Sequence, residues 1–115
     1  MADRLVPVLV ALGGFCGATS RYLVGVAVSG PEPLGTLTAN VLGSFVLAAS
    51  VGVVRSRRLR FFLATGLLSS FTTYSTFAVQ TASMGPAWGL ANAGANYALG
   101  IAAGIAGLSI GRRFA

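Results

Sequence analysis

The chain has 115 residues, of which 55% are hydrophobic and only 9% are charged. Its mean hydropathy of +0.81 lies far outside the usage of soluble domains, in which about a quarter of residues are charged. The sequence has no histidine, one cysteine and two acidic residues. This excludes a Cys/His metal site, a disulfide framework and a paired-carboxylate catalytic centre. We therefore predict a single all-α integral membrane domain.

Four apolar segments have about the 20 residues that a helix needs to cross a bilayer. They are roughly 5–28, 34–54, 61–83 and 87–110. Two prolines in Ser29–Pro33 end the first segment, because proline cannot continue a helix. Arg55–Arg60 is predicted to be a basic loop, and residues 84–86 a tight turn. The expected architecture is one four-span transmembrane domain over residues 1–115.

Glycines recur four residues apart in these segments. The pairs are Gly13/Gly17, Gly85/Gly89, Gly100/Gly104 and Gly107/Gly111. Such pairs let helix backbones approach closely, so they favour a tightly packed bundle or dimer. The alternative is that glycine is simply frequent in membrane helices.

The basic residues are all arginines, and seven of the eight flank the segments on one side. With four spans, these share a side with both termini: Arg4, Arg55, Arg57, Arg58, Arg60, Arg112 and Arg113. The opposite side carries Glu32 and no basic residue. This asymmetry predicts that both the N- and the C-terminus are cytoplasmic. Arginines beside apolar spans favour lipid headgroups over nucleic acid as their partner.

A hydroxyl-rich stretch interrupts the third segment. Ser69–Thr76 holds seven hydroxyls in eight residues, between the apolar flanks Leu63–Leu68 and Ala78–Val79. We predict that the third transmembrane helix is broken here, at mid-membrane. Unwound backbone carbonyls at such a break are a ready cation site.

Arg21 is the one charge well inside a span, about two turns from the non-cytoplasmic end of the first. An embedded arginine is costly unless it faces water, a partner or carbonyl groups. It is therefore a candidate for drawing in or orienting an anion. Snorkelling of the guanidinium to the interface is the alternative.

Two pairs of amide and hydroxyl residues lie four apart, each pair on one helix face. Asn40 and Ser44 form the first, with Thr36 a further turn back, and Asn92 and Asn96 form the second. Their N–H and O–H groups either line a polar path or bond neighbouring helices, as is common in membrane bundles. The residue types alone leave both readings open.

The spans contain no acidic residue, which counts against a proton- or cation-coupled exporter. Tyr74 and Phe77 lie three residues apart beside the predicted break. Aromatic rings are electropositive at the edge, so this pair could offer edges to a small anion. Ordinary packing is the alternative for both rings.

Three stretches together resemble the Fluc/CrcB fluoride channels: Gly17–Tyr22, Gly35–Phe45 and Thr72–Phe77. Their order and spacing and the four-span length fit that family over nearly the whole chain. The resemblance implies an antiparallel, dual-topology-type two-subunit channel that lets fluoride leave the cytoplasm passively, and no enzyme activity. A small proton-coupled exporter of toxic compounds and a structural membrane assembly protein are the alternative functions.

The resemblance also implies site residues. A central sodium ion, structural and not transported, is expected on the backbone carbonyls of Ser69 and Thr72 from both subunits. The side chains expected along the fluoride path are Asn40, Ser44, Thr73, Tyr74, Thr76 and Phe77, with Arg21 in the vestibule.

The chain departs from the usual family pattern at several of these positions. Ser69-Ser70 stands where the family commonly has Gly-Gly, Tyr74 replaces a phenylalanine, and Gln80 a glutamate. Serine is less free than glycine to adopt an unwound geometry. The seven-to-none arginine bias predicts a single membrane orientation, so we expect pairing with a separate, oppositely oriented homologous subunit; a homodimer stays open.

Overall fold

The computed structural model describes residues 3–30 and 32–114, without the side chain of Glu32. Every regular element in these residues is helical. The elements are α1 (Leu5–Ala27), α2 (Glu32–Val53), α3 (Arg57–Arg60), a π-helical stretch (Phe61–Leu68), α4 (Ser69–Phe71), α5 (Ser75–Ser83) and α6 (Pro86–Arg113). Three stretches are long and apolar enough to cross a bilayer: Leu5–Ala27, Pro33–Val53 and Pro86–Arg113. The prediction of an all-α membrane protein is confirmed to this extent.

Prolines begin helices in this chain. Helix α1 ends at Ala27, and α2 already includes Pro33 in its first turn. Helix α6 starts at Pro86, directly after Gly85 with φ of 83°. A proline is tolerated in the first helical turn because its missing N–H would have no partner there. Pro31 lies outside the described residues.

The expected basic loop between the second and third segments is largely helical. Arg57–Arg60 form α3, and the Ser56 hydroxyl oxygen accepts a hydrogen bond of 3.3 Å from the Leu59 amide. The loop prediction was wrong here because a serine cap followed by good helix formers stabilises a helix start. Arg58 Nε donates to Asp3 Oδ2 at 2.8 Å, which ties this turn to the start of the chain.

Helix α1 packs against the π-helical stretch through bare backbone. A Cβ atom on Gly13 or Gly17 would collide with the carbonyl oxygen of Phe62 or Leu67, respectively. One on Gly66 would lie 2.7 Å from the Val10 oxygen. The Gly13/Gly17 pair therefore acts as predicted, by allowing two backbones to meet.

Helix α2 packs along α6 in the same way, near the C-terminal end of α6. A Cβ on Gly107 would collide with the Phe45 oxygen, and one on Gly111 would lie 2.5 Å from the Ala49 oxygen. The remaining two pairs do not act as pairs. Among the residues that the structure describes, nothing lies within 4 Å of a Cβ built on Gly85 or Gly104.

The backbone leaves helical geometry between α4 and α5. Thr72 is extended, with ψ of 153°, and Tyr74 returns to helical angles just before α5 begins at Ser75. This non-helical segment, residues 72–74, lies against α2 and near α6. It positions the candidate site.

Candidate functional site

The main-chain bonds of segment 72–74 depart from the helical pattern. The last regular bond runs from the Thr72 amide to the Leu68 oxygen at 3.0 Å. The Thr73 amide instead donates to Asn40 Oδ1 at 2.7 Å, and the Thr76 amide to Thr73 Oγ1 at 3.2 Å. Among the described residues, nothing donates a hydrogen bond to the four carbonyl oxygens of 69–72.

These four oxygens fit the expected cation site chemically. Backbone carbonyls are hard, neutral oxygen ligands of the kind that broken membrane helices present to Na⁺. Within residues 3–30 and 32–114, no group of three or more His, Cys, Asp or Glu could hold a metal instead. Ser69 is exposed at the surface of this chain, so one end of the stretch 69–72 is accessible to a neighbouring molecule.

Serine in place of glycine requires no unusual backbone here. Ser69 has φ of −62° and ψ of −35°, which any residue adopts. Among the described residues, only Gly30 and Gly85 have positive φ. The concern that Ser69-Ser70 distorts the segment is therefore not supported by its geometry.

Asn40 clamps Thr73 by both ends of its amide. Its Oδ1 accepts from the Thr73 amide, and its Nδ2 donates to the Thr73 oxygen at 3.0 Å. The two bonds replace those that the interrupted helix cannot supply. Gly43, one turn along α2, leaves the room that the Thr72 side chain fills.

A chain of hydrogen bonds made by asparagine side chains continues from Asn40 into α6. Asn40 Nδ2 also lies 3.4 Å from Asn96 Oδ1, and Asn96 Nδ2 donates to the Asn92 oxygen at 2.8 Å. Asn92 Nδ2 donates to Thr81 Oγ1 at 2.9 Å, which joins α6 to α5. Asn40, Asn92 and Asn96 therefore take part in hydrogen bonds between elements, whereas the Ser44 hydroxyl bonds within its own helix. The sequence indicated Asn92 and Asn96 as a polar pair without placing them among the expected site residues, and it gave no sign of Thr81.

Phe77 is the buried member of the aromatic pair, with 8% of its surface exposed, whereas Tyr74 is 73% exposed. The two ring centroids are 5.8 Å apart. Tyr97 of α6 presents a third ring at 6.1 Å from Phe77, nearly perpendicular to it. In this edge-to-face arrangement, the edge of one ring points at the face of the other. Tyr97 was not among the expected site residues.

These rings line an open groove of about 440 Å³, which we call the aromatic groove. It also contains Asn40, Thr73 and Ser44. The Ser44 hydroxyl donates to the Asn40 carbonyl oxygen of its own helix at 2.9 Å. The structure therefore brings six of the expected residues together: Asn40, Ser44, Thr72, Thr73, Tyr74 and Phe77.

Arg21 lies in a second groove of about 320 Å³, which we call the arginine groove. It is lined also by Thr36, Thr73, Thr76 and Gln80. The Gln80 Oε1 atom is buried and has no hydrogen-bond partner within the described residues. The threonine and glutamine side chains of this groove give an embedded arginine polar groups to face instead of lipid.

Apolar helices long enough to cross a bilayer, with amides and hydroxyls turned toward grooves between them, define an α-helical membrane protein with polar intramembrane surfaces. The chain belongs to the CrcB family: residues 8–112 match the family described as "CrcB-like protein, Camphor Resistance (CrcB)".

Curated relatives carry fluoride channel names. The chain is 50% identical over 114 residues to "Fluoride-specific ion channel FluC 2" of Halobacterium salinarum, which covers 94% of this chain and 88% of the relative. It is 49% identical over 100 residues to "Fluoride-specific ion channel FluC 1" of Natronomonas pharaonis, with 83% and 84% covered. The Agrobacterium fabrum "Fluoride-specific ion channel FluC" is 40% identical over 117 residues, with 90% and 94% covered. The resemblance to the Fluc/CrcB family is confirmed.

Proposed function

We propose that this chain is a subunit of a fluoride-specific channel that lets fluoride leave the cytoplasm passively and so lowers its toxicity. The observation that carries the proposal is the junction at Thr73. This residue lines both the aromatic and the arginine groove, beside Asn40 and Phe77. The family and the names of the relatives support fluoride as the permeating ion.

The permeation path, in this proposal, is made of hydrogen-bond donors and positive partial charge. Arg21 attracts the anion into the arginine groove, and the hydroxyls of Thr73 and Thr76 replace part of its water. Phe77 and Tyr74 then offer ring edges. Ser44 and Asn40 line the same side of the aromatic groove. No step of chemistry on a substrate is involved, and the protein is not an enzyme.

A structural sodium ion is proposed at the carbonyl oxygens of Ser69 and Thr72. The support is that these oxygens receive no hydrogen bond from the described residues. When bound, the ion would be coordinated by the lone pairs of these oxygens and so take the place of the missing hydrogen-bond donors. The residues 57–83 would then form one membrane-crossing unit, the third of four, interrupted at mid-membrane.

The proposed assembly is an antiparallel dimer. Tyr74 and Ser69 are exposed on a lone subunit, so a second subunit would complete the aromatic groove. The arginine asymmetry favours one orientation, with cytoplasmic termini in the inner (plasma) membrane. We therefore propose a homologous, oppositely oriented partner subunit.

Fluoride efflux from liposomes, followed with a fluoride electrode, tests these proposals. The channel is purified from its own cells by means of a tag on this chain, so that any second subunit comes with it. It should release fluoride without a proton gradient. No efflux would overturn the channel, and efflux that requires a proton gradient would indicate an exporter. Exchange of sodium for another cation should stop efflux, and indifference would overturn the sodium site.

The lone chain, expressed in a host without relatives, is the matched sample for the assembly. We expect little efflux, with C-terminal tags on one side of the membrane. Robust transport with tags on both sides would overturn the partner subunit and establish a homodimer.

A further inference from the structure

Asn40 lies in the aromatic groove, yet both of its side-chain N–H groups are already used. Nδ2 lies 3.0 Å from the Thr73 oxygen and 3.4 Å from Asn96 Oδ1. A carboxamide has two N–H donors and one carbonyl acceptor. The Asn40 acceptor faces the Thr73 amide at 2.7 Å. No donor of this side chain therefore remains for an anion.

Thr73 is in the opposite situation. Its Oγ1 accepts from the Thr76 amide at 3.2 Å, and among the described residues its O–H donates to no oxygen. A hydroxyl has one donor and two acceptor sites, so the O–H is available to an anion. Thr73 also lines both grooves, although only 9% of its surface is exposed.

The amide chain behind Asn40 extends beyond both grooves. Asn96 lines the aromatic groove, but Asn92 and Thr81 line neither. Asn92 is 9% exposed, and its Nδ2 donates to Thr81 Oγ1 at 2.9 Å. These two residues therefore do not line the anion path, and their side-chain hydrogen bonds connect them to it through Asn96 and Asn40.

We infer that Asn40 is a positioning residue, and that the network Asn40–Asn96–Asn92–Thr81 holds Thr73 so that its hydroxyl donates to the anion between the two grooves. The inference rests on the channel function proposed above. The ligand is a small anion that accepts a hydrogen bond, here fluoride. The network fixes Thr73 through its main chain, and the hydroxyl does the binding.

The test measures fluoride efflux and hydrogen–deuterium exchange at the Thr73 amide in the same liposomes. The channel is purified by means of a tag on this chain. Thr81→Val keeps the side-chain shape but removes the oxygen that accepts from Asn92. It should raise exchange at Thr73 and lower efflux about threefold to tenfold, the effect of one lost hydrogen bond. Thr81→Ser should restore both. Thr38→Val is the matched control, because within the described part of the chain the Thr38 hydroxyl bonds only to the Leu34 oxygen of its own helix.

Thr73→Val separates binding from positioning. It removes the hydroxyl but keeps the amide and oxygen that Asn40 clamps, so efflux should fall about tenfold while exchange at the Thr73 amide stays slow. Thr73→Ser should conduct like the unchanged channel. Normal efflux in Thr73→Val would show that this hydroxyl is not the donor.

Normal efflux in Thr81→Val together with faster exchange would show that the network does not serve the path. Unchanged exchange in Thr81→Val would show that the network does not hold Thr73. If the unchanged channel releases no fluoride, the channel function itself is overturned and the hydroxyl assignment falls with it. The exchange measurement then still decides whether the network holds Thr73.

Discussion

The residues on either side of segment 72–74 are held in place by different forces. Before it, Phe61–Phe71 lies against α1 at glycines, where backbone touches backbone. After it, α5 is tied to α6 through the side chains of Thr81 and Asn92. We call these the glycine side and the amide side of the interruption. The glycine side depends on the absence of side-chain atoms. The amide side combines one such contact, Gly89 against the Thr81 carbonyl oxygen, with particular side-chain donors and acceptors.

The difference teaches two ways in which the helices around a non-helical segment can be held in position. Without a hydrophobic driving force between helices, close packing and hydrogen bonds must stabilise the contact. On the glycine side, the closely packed backbones fix the position of Phe61–Phe71 against α1, because they leave no room for either helix to shift. The amide side satisfies the polar groups that the interruption exposes, which lipid cannot do.

The largest effect is expected from adding one carbon to the glycine side. In Gly17→Ala the new Cβ would collide with the Leu67 oxygen, and backbone cannot move aside cheaply. We expect the free energy of unfolding to fall by about 1–3 kcal/mol or more. Trp88 fluorescence should then report unfolding at a lower denaturant concentration.

Gly104→Ala is the matched control, because no atom of the described residues 3–30 and 32–114 lies within 4 Å of its Cβ. It should unfold like the unchanged chain. Equal stability of Gly17→Ala and Gly104→Ala would mean that the close contact with Leu67 is not formed in the membrane.

Asn40 of α2 is linked by hydrogen bonds to the amide side, and there a change of donor at constant side-chain size should have the largest effect. Asn40→Asp keeps an oxygen for the Thr73 amide but turns a second oxygen toward the Thr73 carbonyl and Asn96 Oδ1. Two hydrogen bonds become repulsions between acceptors, each worth about 1–3 kcal/mol. Efflux should fall tenfold or more, while the glycine contacts still let the protein assemble. Normal efflux would show that the clamp is dispensable.

A smaller effect is expected where shape and ring chemistry can be separated. Phe77→Ile keeps a large apolar side chain but removes the ring beside Tyr74 and Tyr97. A well-placed ring interaction is worth about 0.5–1.5 kcal/mol, so efflux should fall about threefold to tenfold with assembly intact. Phe77→Tyr should conduct better than Phe77→Ile. Equal efflux in the two variants would mean that ring edges play no part.

The positions of the long helices follow from the length of the apolar runs, which is why the sequence predicts α1, α2 and α6 closely. The same runs do not tell which glycine faces a neighbour. Gly13 and Gly104 look alike in sequence, but only Gly13 meets another backbone. That depends on the rotation of each helix, which an evenly apolar surface does not encode.

The candidate site was predictable in its residue types and less so in its connections. The polar pairs on α2 and α6 were visible, but the partners of Asn40 lie 33 and 56 residues away in the sequence. A four-residue spacing shows that two side chains share a face, and not what that face meets. Thr81 therefore gave no signal of its own.

The smallest effect is expected at the end of the glycine side, where its side-chain ion pair lies in water. Arg58 and the Leu5 amide donate to Asp3 and hold the pKa of that carboxyl below its usual 3.8. Because the folded pKa is depressed, the contribution of the pair is full above pH 3.8 and is lost as the pH falls through the lower folded value. Asp3→Asn should therefore change the unfolding midpoint slightly at pH 7 and not at all at a pH below the folded pKa. An equal shift at both pH values would show that Asp3 acts through its hydrogen bond to Leu5 alone, without its charge.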